Sequence, residues 1–234
     1  MTENRYSDIA ENIERIRARI EEAALAAGRR PEEITLMAVT KTVPAEVVNM
    51  AVAQGVTLLG ENRAQELLSK YEAYADGASI HFIGHLQSNK VKQIIDKVDM
   101  IHSVGGARLA AEISRQAGAI GKTRDVLIEV NVGGEESKSG VTPEETAELA
   151  REIEGLDHIR LRGLMTIPPV CDTIYESEAY FERVYKVFVD IREKNRDNSS
   201  IDILSMGMSQ DFPAAIKHGS TIIRIGTALF GSRA

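Results

Sequence analysis

Apolar positions along the chain follow two alternating rhythms. In the first segment, Ile9, Ile13, Ile16, Ile20 and Leu25 recur at helical spacing among charged residues, with Ser7 or Asp8 available as a cap and Gly28 with Pro31 ending the segment. The spacing predicts an amphipathic helix over about residues 7–28, ahead of the first strand. Short apolar, β-branched runs then alternate with helical stretches. The runs cover residues 34–39, 57–60, 80–84, 100–103, 126–130, 159–165, 203–205 and 222–225. The helical stretches cover 45–54, 64–74, 88–97, 107–117, 143–154, 175–194 and 212–217, with a short turn after the last run. Polar residues 197–200 read as a loop before the penultimate strand.

Strand and helix alternate about eight times with no Asn-Gly hairpin signal between neighbouring strands, which points to parallel pairing through helical crossovers. The expected fold is α/β, a single (β/α)8 TIM barrel over residues 1–234 with an extra amino-terminal helix. An open, doubly wound sheet is the rival, because a sequence does not show whether the first and last strands pair. Length and unit count favour closure, since such barrels run to about 250 residues.

Composition narrows the partners. The net charge is -7 with 27% charged residues, so no broad basic surface offers itself to nucleic acid. The lone Cys171 forms no internal disulfide and fits a reducing cytosol. The amino terminus is charged throughout, unlike a signal peptide, and no stretch approaches the roughly 18 apolar residues of a membrane span. A cytoplasmic protein is expected. His81, His85 and His102 fall on separate strands and offer no compact ligand set, so no metal site is expected.

The candidate chemistry sits where strands end. Lys41 closes the run ITLMAVTK before Pro44, at the strand end where parallel α/β proteins place ligands. Burial there would depress an amine's pKa and make it nucleophilic toward an aldehyde; the plain alternative is a lysine snorkelling into solvent. In a closed barrel the residues after the other strands converge on the same face, among them Asn62, His85, Ser103, Asn131, Met165, Ser205 and Met206. The loops after the last two runs, LSMGMSQDF with Ser209 and IRIGTALFG with Gly226 and Thr227, are rich in small, donor-bearing positions that suit a phosphate group. Ordinary turn glycines and cap serines are the alternative for either loop taken alone. An imine-forming lysine opposite a phosphate site suggests a phosphorylated aldehyde, of which pyridoxal 5′-phosphate (PLP) is the commonest cofactor. Arg224 shares a strand face with Gly226 and would meet the pyridine nitrogen, leaving it unprotonated; an outward arginine paired with a helix carboxylate is the alternative.

AVTKTVP at Lys41, GENRAQE from Gly60, HFIGHLQSNK from His81, VNVGGEESKSG from Val130, LRGLMTIPP from Leu161, LSMGMSQDF from Leu204 and IRIGTALFG from Ile223 together resemble the pyridoxal-phosphate homeostasis protein family. These are barrels similar to the barrel domain of alanine racemase, the type III fold of PLP proteins. The resemblance implies that Lys41 carries PLP as a covalent aldimine and that Asn62 lies near the ring. It implies a phosphate cup of Ser209, Gly226 and Thr227, and places Arg224 by the pyridine nitrogen. His85, Met165, Ser205 and Met206 match pocket lining.

That family is associated with vitamin B6 balance, without a firmly attached turnover. The expectation is a protein that stores, buffers or delivers PLP through a reversible Schiff base on Lys41, with PLP-dependent apoenzymes as recipients. The chain ends soon after the last strand, where alanine racemases continue into a second domain, and this favours a carrier over an enzyme. A PLP-dependent racemase or lyase is the alternative, with Lys41 returning a proton and Tyr175 or Tyr180 near the sixth strand. Lys138, in the loop 133–140, reads as part of a lid, as a second amine, or as a plain loop residue. A monomer is expected, with a dimer as the alternative.

Overall fold

The structure, a computed structural model, describes residues 8–135, 138–171, 173–194 and 200–231. Its strands are β1 (Thr35–Val39), β2 (Leu58–Glu61), β3 (Ser79–Phe82), β4 (Met100–Val104), β5 (Arg124–Val130), β6 (Ile159–Thr166), β7 (Ile203–Ser205) and β8 (Ile222–Ile225). Each pairs in parallel with the next, and β8 returns to β1 with Thr35 opposite Ile222 and Ala38 opposite Ile225. That last pairing closes the barrel and disposes of the open sheet.

The helices are α1 (Ile9–Ala26), α2 (Ala45–Ala53), α3 (Ala64–Lys70), α4 (Val91–Ile94), α5 (Ala107–Ala119), α6 (Thr146–Glu154), α7 (Ile174–Lys194), α8 (Phe212–Lys217) and α9 (Thr227–Phe230). α1 packs against α8 and α9, burying Ile9, Ile13, Ile16 and Ile20, and Asn12 Nδ2 donates to the Leu229 carbonyl at 2.9 Å. Each such isoleucine contributes about 1.5–3 kcal/mol by leaving water. Leu25 departs from the expected face: it is 62% exposed, while Ala24 is buried. At about 100° per residue Leu25 lies some 140° round from Ile20, whereas Ala24 lies about 40° away. Asp8 holds the cap position; Ser7 lies outside the described residues, as do positions 197–199 of the expected loop.

Three expected helices are shorter in the structure. After α3 the chain tightens into a 3-10 turn, Tyr71–Ala73, and another, Ser88–Lys90, precedes α4. α6 begins late because Glu145 Oε2 accepts from both the N–H and the hydroxyl of Thr142 at 2.9 Å, holding residues 142–145 as a turn.

Alternation along each strand separates two cores. Inside the barrel lie Met37, Val39, Leu58, Ile83 and Ile222, joined through Ile203 to Met100, Leu127 and Met165. Between barrel and helices lie the residues of opposite parity, such as Ala38, Leu59, Ile223 and Ile225. In β6 the register shifts: Val126 faces Leu161 but Leu127 faces Gly163, so Arg162 is an inserted residue. The bulge turns Met165 inward. Gly163 has φ 148°, and a Cβ there would lie 1.8 Å from the Ile203 carbonyl oxygen, so only glycine fits.

Candidate functional site

The inward parity delivers Lys41, Asn62, Arg224 and Gly226 to the barrel's carboxyl-terminal mouth. There they line one cleft of about 550 Å³ with Ser209 and Thr227. Its apolar walls include Val39, Ile83, Ile167 and Met208. Surface clefts of about 500 and 610 Å³ lie elsewhere, beside α1, so size does not single out the mouth. Chemistry does: unlike those two clefts, the mouth joins an amine, a buried guanidinium and two glycine-bearing loops.

The loops after β7 and β8 are tied together. Gly207 adopts φ 92°, and a Cβ there would come within 2.6 Å of Ala215, so the turn into α8 needs glycine. Asp211 Oδ1 accepts the Met208 N–H at 2.6 Å, and Ser209 Oγ accepts the Ala228 N–H at 3.3 Å. Ser209, Gly226 and Thr227 therefore share one lip of the cleft.

Arg224 is 3% exposed and donates through Nη1 to the carbonyl and hydroxyl of Ser205, at 2.7 and 2.8 Å, and through Nη2 to the Thr166 carbonyl at 2.7 Å. The outward arginine of the sequence reading is thereby excluded. Burial pulls its pKa down to about 10, leaving it cationic at neutral pH. Behind it, Ser205 Oγ lies 3.1 Å from His102 Nδ1, and His102 Nε2 lies 2.9 Å from His81 Nδ1. Burial holds the His81 imidazole down at about 4 and His102 well below its ordinary value, so both are neutral. With Arg224 donating to Ser205, one consistent proton order runs from Ser205 to His102 to His81.

Glu129, on the inward parity of β5, escaped the sequence reading because nothing local distinguishes it from a surface glutamate. Burial raises its carboxyl to about 7 against the favourable pull of Arg224, and its Oε2 is buried without a hydrogen-bond partner. Ser103 Oγ, Asn62 Oδ1 and Asn131 Oδ1 are likewise buried and unpartnered.

Other expected residues are placed differently. Met165 is inward but deep, in the barrel core, while the Met206 side chain belongs to the outer core between barrel and helices. His85 is exposed, 2.8 Å from Ser139 Oγ, and lines a neighbouring cleft of about 310 Å³ that shares Asn62 with the first. His81 and His102 do converge, as a hydrogen-bonded pair; no group of three or more metal-ligating side chains occurs among the described residues. Tyr175 is 78% exposed and Tyr180 packs on the outer core, so neither lines the mouth cleft. Lys138 is engaged with Glu135 and donates to the Pro168 carbonyl at 3.2 Å.

The sequence family described as "Alanine racemase, N-terminal domain" matches residues 6–234. The Pyridoxal phosphate homeostasis protein of Aquifex aeolicus is 44% identical over 224 residues, spanning 95% of this chain and 97% of that one. The protein of the same name from Pseudomonas aeruginosa is 45% identical, over 97% and 96% of the two chains. The chain belongs to the pyridoxal phosphate homeostasis protein family. Among solved structures, this family member is similar to PipY of Synechococcus elongatus with PLP bound, at TM-score 0.83 and 31% identity over 95% of this chain and 100% of that one. A Clostridium difficile alanine racemase superposes at TM-score 0.74 and 19% identity, over 97% of the homeostasis-family chain and 57% of the racemase, a likeness of fold alone. No helix among the described residues is long and apolar enough to cross a membrane.

Proposed function

We propose that this chain, a single barrel domain over residues 1–234, binds pyridoxal 5′-phosphate and takes part in its intracellular homeostasis, storing, buffering or delivering it. Lys41 Nζ is the reversible covalent attachment point for the aldehyde. The observation that carries this is the joint lining of one cleft by Lys41, Arg224 and the tied loops of Ser209, Gly226 and Thr227. The residues fit the cofactor on a further count: Asn62 Oδ1 is a buried, unpartnered polar atom in that same cleft. The relative solved with PLP bound supports the same reading.

When bound, the cofactor supplies an aldehyde open to amine attack and a ring able to withdraw electrons. The protein's own residues do the rest. Ser209, Gly226 and Thr227 hold the phosphate, and Asn62 orients the group beside Lys41. Arg224, fixed by three acceptors, presents a cation at the ring nitrogen that does not yield a proton at neutral pH, so the ring stays a weak electron sink. That suits a carrier better than an amino-acid enzyme. The protein is cytoplasmic, acts as a monomer and passes PLP to PLP-dependent apoenzymes.

A second reading, a PLP-dependent racemase or lyase, is favoured by one observation: Glu129, a carboxyl titrating near neutrality inside the same barrel. One preparation tests both readings. Borohydride reduction of PLP-saturated protein followed by peptide mass analysis is expected to mark the Lys41 peptide, and amino acids in deuterated water are expected to show no multiple-turnover α-proton exchange. An unmarked Lys41 peptide at saturation sinks the attachment, and turnover sinks the carrier.

A further inference from the structure

The turn that presents Lys41 is built against its own backbone preference. The Val43 N–H closes it onto the Thr40 carbonyl at 3.0 Å, making Lys41 and Thr42 the two central residues. Thr42 has φ 62°, the one positive φ outside glycine among the described residues. That position of a turn ordinarily selects glycine, and a β-branched residue there is strained. Strain of this kind persists only where the surroundings over-determine it.

The surroundings do so here. Lys70 Nζ donates to the carbonyls of Thr40 at 3.0 Å and Val43 at 3.3 Å, on either side of the strained pair. The same ammonium lies 2.8 Å from Glu61 Oε1 and 2.8 Å from Glu66 Oε1, and Glu66 Oε1 also accepts the Thr42 N–H. Glu61 is buried beneath, taking the Thr40 hydroxyl at 2.7 Å and the Tyr74 phenol. Burial pushes that phenol's pKa far up, so it remains a donor. Both ends of the turn and its central N–H are thus gripped by two side chains of α3 that lie outside the cleft lining.

We propose that Lys70 and Glu66 are positioning residues that aim Lys41 into the cleft by holding Thr42 in its left-handed conformation; this rests on the reading of Lys41 as the attachment point. Misplacing a reacting amine by about an ångström costs up to about a hundredfold in rate. Removing the Glu66 acceptor is therefore expected to slow attachment at Lys41 roughly tenfold. The clamp does not touch the phosphate lip, so total cofactor retention changes little.

The test compares Glu66→Ala, Glu66→Gln and Lys70→Gln with the parent by two measurements. The first is competitive trace acetylation of cofactor-free protein across pH, read at the Lys41 peptide. The second, after PLP is added, sets the rate and fraction of borohydride trapping on Lys41 against total PLP retained through gel filtration. Support is a slower, less complete trapping with retention preserved in Glu66→Ala, together with rescue in Glu66→Gln, which keeps the acceptor oxygen. Equal losses of retention and trapping would mark a merely structural role and overturn the proposal, as would parental trapping in Glu66→Ala. Should the parent trap nothing on Lys41, the functional reading falls instead, and the clamp is then judged by acetylation: an altered Lys41 profile in Glu66→Ala supports it and an unaltered one overturns it. Glu66 is partly exposed, so its variants remain informative if Lys70→Gln fails to fold.

Discussion

The two basic residues of the mouth are fixed by opposite means. On the β1–β2 side, the Lys41 turn is held by charged groups, with the Lys70 ammonium set between the Glu61 and Glu66 carboxylates. On the β7–β8 side, Arg224 is held by neutral acceptors only, two carbonyls and a hydroxyl, backed by two neutral histidines. The difference separates rigidity from field. Ion pairing around Lys41 spends its charge within the protein and supplies geometry. Neutral bonding around Arg224 fixes the guanidinium without a direct ion pair; Asp211 and Glu129 act on it only through space, so part of its field remains for whatever enters the cleft.

The largest effect should come from breaking the charged side. Lys70→Met leaves the Glu61 carboxylate buried without its cation, an error worth about 3–5 kcal/mol. Urea unfolding of cofactor-free protein at pH 8 measures it, and a loss under about 1 kcal/mol would show that Glu61 needs no cation, collapsing the contrast.

Next comes Glu129, on which the field of Arg224 acts. Its folded pKa of about 7 exceeds the ordinary carboxylate value of 4.5, so the folded state holds the proton more tightly. The stability this lends is complete below about 4.5 and is lost as pH rises through about 7, amounting to up to about 3 kcal/mol. Glu129→Gln should accordingly match the parent near pH 4 and exceed it by up to that amount at pH 8. Parallel stability curves for the two proteins would mean that Glu129 is solvated rather than buried.

The fold and the polar lining of the mouth were legible in the sequence. Short apolar runs between helical stretches located all eight strands, because each strand of a parallel barrel is apolar on both faces and bounded by turn residues. Parity then carried Lys41, Asn62, Arg224 and Gly226 to one mouth. It did not carry Met206, whose side chain points to the helices, or His85, displaced to the next cleft. The bulge at Arg162 was illegible because register is a property of two strands, and no single run shows it. The supporting residues were hidden for a similar reason. Lys70 and Glu129 read locally as surface charges, and Glu61, expected beside Asn62 at the mouth, is instead buried beneath the Lys41 turn; all three follow from where the closed barrel puts them.

The smallest expected effect distinguishes a chain of bonds from a chain of function behind Arg224. Ser205→Ala removes one acceptor from the guanidinium and one partner from His102, while the Ser205 and Thr166 carbonyls still hold Nη1 and Nη2. A loss of about 1–2 kcal/mol at pH 8 is expected. His81 titrates at about 4 when folded and at 6.5 ordinarily, so its contribution is present above about 6.5 and is lost as pH falls through about 4. Because burial, and not Ser205, sets that shift, the acid side of the stability curve should keep its shape in the alanine variant and simply move down. A changed acid midpoint would show that the serine couples the histidines to Arg224, and the neutral side of the mouth would then be a titrating network instead of a fixed mount.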